Sequence, residues 1–113
     1  MIADCVFCKI IAGDIPAKIV HRGDGVIAIE DVNPQAPVHV LVLPERHIPN
    51  IATHSNSGTS DEVARLIRSA AEIGARNSGG FRLVINTGED GGQTVDHLHV
   101  HVLAGRHMAW PPG

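Results

Sequence analysis

The sequence predicts an α+β fold: a mainly antiparallel five-stranded sheet, one long helix and one short helix near the N-terminus. Three observations lead there. Several short runs have strand character, one stretch sustains helical periodicity, and the strands lie on both sides of that stretch in an order typical of α+β architecture. With 113 residues the chain is long enough for one hydrophobic core, so residues 1–113 are read as a single domain.

The elements follow in order. Cys5-Val6-Phe7-Cys8-Lys9-Ile10-Ile11-Ala12 reads as a short helix stopped by Gly13 and the turn toward Pro16. Strands are expected near 18–21 and 25–30, joined by a hairpin turn at Gly23-Asp24-Gly25. Asn33-Pro34-Gln35-Ala36-Pro37 breaks the chain, because each proline lacks a backbone donor and drives its predecessor out of the helical region. Val38 to Leu43 is almost continuously apolar and β-branched, as in a strand buried on both faces, and its one polar residue is His39. Asn50 to Thr59 reads as a loop, with His54 a solvated residue in it. Thr59 and Glu62 have capping-box spacing, and Val63, Leu66, Ile67, Ala70, Ala71 and Ile73 then recur at helical intervals until Gly79-Gly80 ends the long helix. Phe81 to Asn86 and His97 to Leu103 read as the last two strands, separated by a turn over Gly88 to Gly92.

Composition narrows the function. No stretch reaches the 18 or so continuous apolar residues of a membrane span, and no secretory leader is expected, so the setting is read as cytoplasmic. A net charge of -3 without basic runs argues against a nucleic-acid duplex as partner. Aromatic residues are confined to Phe7, Phe81 and Trp110, too few for the stacking platforms of single-strand binders. Eight histidines are the oddity, and several of them form a pattern.

In His97-Leu98-His99-Val100-His101-Val102 polar and apolar residues alternate, so a strand would put three imidazoles on one face, about 6.5–7 Å apart, and turn Leu98, Val100 and Val102 to the core. Such a row is costly as an idle solvated face, because neighbouring imidazoles repel when charged. Metal binding or catalysis fits better. Upstream, Gly88-Glu89-Asp90-Gly91-Gly92-Gln93-Thr94 has glycines able to turn backbone N–H groups toward an anion, and Thr94 adds a hydroxyl.

The run from His97 to Leu103 resembles the signature of the histidine-triad family, and most closely its nucleoside phosphoramidate hydrolases. The likeness extends to Phe7-Cys8-Lys9-Ile10-Ile11, Ile15-Pro16-Ala17-Lys18, Pro34-Gln35-Ala36-Pro37, Gly91-Gly92-Gln93-Thr94, and Gly105-Arg106 through Trp110-Pro111-Pro112-Gly113. The resemblance implies a histidine-triad fold and hydrolysis of purine nucleoside phosphoramidates, in the manner of an adenosine 5′-monophosphoramidase. His99 would attack the α-phosphorus and form a nucleotidyl-histidine that water then cleaves. It also implies that His101 contacts phosphate and protonates the leaving group, that His39 orients His101, and that Asp31 accepts hydrogen bonds from ribose hydroxyls. Val32 and apolar neighbours would line the base pocket, with Asn86, Gly92, Gln93 and Thr94 near ribose and phosphate. Where many relatives carry serine, Thr94 keeps the hydroxyl, and its methyl would reshape leaving-group entry. His21 and His107 remain surface residues.

Cys5 and Cys8 have the C-x-x-C spacing by which two thiolates grip one ion, and His47 with His97 would complete a Cys2His2 zinc set of the kind the resemblance implies for bacterial relatives. The first triad histidine would then be structural, and the zinc charge would disfavour protonation of His99. Without metal, the two cysteines are small buried apolar residues. The resemblance further implies a homodimer joined through Val63 to Arg76 and the adjoining strand, with Trp110 reaching toward the partner's site. Two rivals stay open: a zinc-containing nucleotide-binding interaction module with little turnover, and a metalloenzyme ligated by the triad itself.

Overall fold

A computed structural model describes residues 4–53 and 60–113. Helix α1 (Val6–Ile11) is followed by strands β1 (Ile19–Gly23), β2 (Val26–Glu30) and β3 (Val38–Pro44), then helix α2 (Ser60–Gly74) and strands β4 (Phe81–Val84) and β5 (Val100–Ala104). The strands form one five-stranded sheet in the order β1-β2-β3-β5-β4, every neighbouring pair antiparallel. The α+β architecture and the strand count expected from the sequence are both found.

Local chemistry accounts for the first hairpin. Gly23 pairs with Val26, leaving a two-residue turn in which Asp24 has φ +55° and Gly25 φ +77°. Two successive left-handed residues match the right-handed twist of the flanking strands, and Asp-Gly accommodates them at little cost. The next break, 33–37, turns the chain from β2 into β3.

The sheet is covered on both faces, so β2 and β3 are apolar at their interior positions except for His39. Ala28, Val40, Val42, Val100 and Val102 pack beneath α2 with Leu66, Ala70 and Ile73. Ile27, Ile29, Leu41 and Leu43 pack on the opposite face with Phe7, Cys8 and Ile11 of α1. Each fully buried Leu or Ile contributes about 1.5–3 kcal/mol of transfer free energy. The long helix covers one face and the short helix roofs part of the other, where the reactive side chains lie.

Several element ends differ from expectation. Helix α2 stops at Gly74 instead of reaching Gly79-Gly80: the Gly74 carbonyl accepts hydrogen bonds from both the backbone and side-chain nitrogens of Asn77, each 3.0 Å long, which closes the helix in a turn. Any side chain at Gly74 would collide with the Phe81 ring. Cys5 is the N-cap of α1 and not its first helical residue. Residues 51–53 are helical within the expected loop, capped by the Asn50 side chain, which accepts from Thr53 N at 2.8 Å. His54 and the capping Thr59 lie outside the described residues.

The largest departure concerns the histidine segment. Ladder pairing begins at Val100, so His97 and His99 precede β5. The Leu98 amide donates to Ile48 O at 2.6 Å instead of to a strand, and the His97 ring bonds Pro44 O at 2.9 Å. These contacts tie the segment to the end of β3 and to the residues that follow it. Face alternation nevertheless persists: Leu98, Val100 and Val102 enter the α2-side core, and the imidazoles face α1.

Candidate functional site

The three triad imidazoles separate into two sets. His97 is fully buried beside Cys5, Cys8 and His47. Its Nδ1 lies 3.5 Å from Cys5 Sγ and 3.7 Å from Cys8 Sγ, and His47 Nδ1 lies 3.3 Å from Cys8 Sγ. All four ligand atoms fall within 4.8 Å of one another. Zinc bonds of about 2.3 Å to sulfur and about 2.0 Å to nitrogen at tetrahedral angles would set such atoms about 3.5 Å apart, so the cluster has the edge lengths of a Cys2His2 site. The ring chemistry agrees. A carbonyl can only accept, so His97 Nε2 donates its proton to Pro44 O and Nδ1 presents a lone pair to the sulfurs. Burial lowers the His97 pKa, opposed by that hydrogen bond, and keeps the ring neutral as a ligand must be. Burial raises the Cys5 thiol, so an incoming ion must displace a proton there. Both cysteines are free.

The other set lines a cleft of about 400 Å³. His99, 6% exposed, donates from Nδ1 to the backbone oxygen of His97 at 2.7 Å. That bond assigns the tautomer and leaves Nε2 with a bare lone pair. Phe7 packs edge-on against the same ring, centroids 5.1 Å apart at 74°.

His39 and His101 form a second chain of assigned protons. The Gln35 amide donates to His39 Nδ1 at 3.0 Å, so the proton of neutral His39 is on Nε2, 2.9 Å from His101 Nδ1. His101 Nδ1 therefore accepts, and His101 Nε2 carries a proton available to a bound group. Burial, then the neighbouring His99 and His39, push the His101 pKa down to about 4, against the pull of Asp31, so this neutral tautomer prevails near pH 7. Burial likewise lowers His39, again opposed by Asp31. The Asp31 carboxylate approaches His39 Nε2 at 3.4 Å, while its other oxygen accepts from Asn33 N at 2.8 Å.

The cleft wall is mostly apolar, with Val6, Ile10, Ile29 and Leu41 among its residues. Val32 stands fully exposed beside it. Asp31, Val32, Thr94, His99 and His101 all line the cleft, as the sequence leads one to expect. Its lining includes Glu30 and Asp31 but no lysine or arginine among the described residues, and Glu30 pairs with Lys18 at 3.5 Å.

Asn86, Gly92 and Gln93 are not among the lining residues. The Gln93 side chain is engaged elsewhere, accepting from Gly88 N at 3.1 Å and donating to Pro49 O at 2.7 Å and Val95 O at 3.0 Å. It braces the glycine turn. Two contributions escaped sequence reasoning. Helix α1 supplies part of the cleft wall, a role its apolar face alone could suggest. Arg106 donates from Nε to Gln35 O at 3.0 Å, fastening the residue whose amide orients His39, a link that only the tertiary structure reveals.

Comparison with known proteins agrees with this arrangement. The HIT domain family matches residues 12–108. The chain is 47% identical over 118 residues to an uncharacterized HIT-like protein of Synechocystis, covering all of both chains. It is 40% identical over 126 residues to a 14 kDa zinc-binding protein of Brassica juncea, covering 97% of this chain and 100% of that one. A crystal structure of a HIT family hydrolase from Legionella pneumophila superposes with a TM-score of 0.91 at 42% identity, covering 97% and 100% of the two chains. Fold and sequence thus agree, and the chain belongs to the HIT domain family.

Proposed function

We propose that the protein is a purine nucleoside phosphoramidate hydrolase that works through a covalent nucleotidyl-histidine at His99. The observation that carries this reading is the pairing of a bare His99 Nε2 with a protonated His101 Nε2 in one largely apolar cleft. His99 Nε2 attacks the α-phosphorus and the P–N bond breaks. The departing amine takes up a solvent proton relayed through His101 Nε2, which is reprotonated in the same step so that the ring stays neutral. Water then attacks the phosphorus, loses its proton to solvent along the same route and frees His99. His39 holds His101 in the donating tautomer. The apolar wall with Val32 takes a purine base, Asp31 takes ribose hydroxyls, and Thr94 takes phosphate, with Asn86, Gly92 and Gln93 approaching ribose and phosphate from the adjoining segments.

The family membership, the hydrolase name of the Legionella neighbour and the zinc-binding name of the Brassica relative support the same reading. Zinc is the ion that best fits two thiolates and two imidazoles, and its chemistry here is to cross-link chain segments. The chain acts as one domain over residues 1–113 and pairs as a homodimer through Val63 to Arg76 and β4, where Phe81 is 40% exposed at the sheet edge. A reducing cytoplasm suits the free thiols.

The test is steady-state hydrolysis of an adenosine phosphoramidate with intact-protein mass spectrometry, for wild type, His99→Ala and His99→Gly. Turnover and a nucleotidyl adduct in wild type alone are the expected result. Nucleotide binding without turnover would replace the enzyme by a zinc-containing interaction module.

A further inference from the structure

Helix α1 carries two sets of side chains. Cys5 and Cys8 belong to the Cys2His2 cluster, whereas Val6, Phe7 and Ile10 line the cleft. Phe7 touches both regions: its ring lies 5.9 Å from that of His97 at 87° and 5.1 Å from that of His99 at 74°. Six residues of helix are too few to be stable alone. The attachment of α1 must therefore come from tertiary contacts. These are the burial of Phe7 and Ile11, one bond from the Arg22 guanidinium to Ile11 O at 3.0 Å, and the cluster itself. The four residues of the cluster come from three places in the chain: Cys5 and Cys8 from the N-cap and first turn of α1, His47 from the segment after β3, and His97 from the segment before β5.

We propose that the cluster is a clasp whose metal occupancy sets nucleotide affinity, with Phe7 as the positioning residue that links it to His99. The proposal rests on the nucleotide reading of the cleft. With an ion held, α1 is pinned against the segments bearing His47 and His97, the cleft wall is complete, and Phe7 confines the His99 ring. Without it the sulfurs and imidazoles keep only weak contacts, α1 loosens, and the wall and the His99 ring lose their support. Since the coupling is reciprocal, bound nucleotide must tighten metal binding by the same factor that metal tightens nucleotide binding.

The experiment uses the full chain, loaded with Zn2+ or depleted by a chelator, and AMP as probe in calorimetry. Loss of packing from α1 is expected to weaken AMP binding about tenfold or more, and saturating AMP should strengthen Zn2+ binding by the same factor. Hydrogen exchange should quicken across α1 while β2 and β3 stay protected. In zinc-loaded protein, Phe7→Leu should keep one Zn2+, weaken AMP only a few-fold and lower kcat at saturating substrate. Equal AMP affinity in both forms with unchanged α1 exchange would overturn the clasp. AMP bound by neither form would overturn the nucleotide reading instead, and α1 exchange would still decide whether metal pins the helix.

Discussion

His97 and His99 stand two residues apart with the same side chain, yet their surroundings give them opposite assignments. His97 turns Nδ1 to two sulfurs and spends its Nε2 proton on Pro44 O. His99 spends its Nδ1 proton on His97 O and keeps Nε2 bare toward the cleft. In each case one backbone carbonyl selects the tautomer, and the tautomer selects the chemistry. A row of histidines is thus divided by two carbonyl acceptors, Pro44 O from β3 and His97 O from the row itself.

The most severe way to break the comparison is to exchange the consequences of losing each ring. His99→Ala should lower turnover by about 10⁴-fold or more while leaving one Zn2+ per chain, measured by steady-state kinetics and elemental analysis. His97→Gln should do the reverse in kind, with Zn2+ lost from the isolated protein and some turnover retained. A narrower cut is His39→Gln, which removes the ring that orients His101. We expect kcat to fall about 10- to 100-fold with KM little changed, a loss comparable to that of other orienting partners. The stability of the metal end can be read separately. At free Zn2+ a hundredfold above its Kd, loading should stabilise the fold by about 2.7 kcal/mol in denaturant titration, in wild type and His99→Ala alike.

The smallest expected effect concerns acid. The folded His101 pKa is pushed down to about 4, below the unfolded value, so between these two pH values the unfolded chain binds more protons. Stability must then rise with pH across that window and fall on acidification from neutrality. At fixed metal content, His101→Gln should show a shallower decline from pH 7 to pH 5 in thermal unfolding than wild type. An identical slope would place the acid sensitivity elsewhere.

Much of this division was legible before any coordinates. The alternation of Leu98, Val100 and Val102 with histidine placed the faces correctly, and Asp24-Gly25 announced its turn. Cys spacing together with family likeness pointed to Cys5, Cys8, His47 and His97, which the fold brings into one cluster. What escaped depends on contacts between distant segments. Ladder pairing starts at Val100 because Ile48 O and Pro44 O claim groups of the preceding residues, which no local pattern records. The Gln93 side chain bonds Pro49 O, a contact no local pattern records, since Pro49 lies beside it only in the folded chain. Arg106 and the Gln35 amide, 71 residues apart in the chain, acquire their role toward His39 only on folding.

The cleft lining, with two carboxylates and no cationic side chain, bears on what happens after the reaction. In the proposed reaction the product would be a nucleoside monophosphate with close to two negative charges, which would face the Asp31 carboxylate, Glu30 being paired with Lys18 at 3.5 Å. Such a product would be held less tightly than the less charged ester, and binding free energy would be concentrated on the transition state.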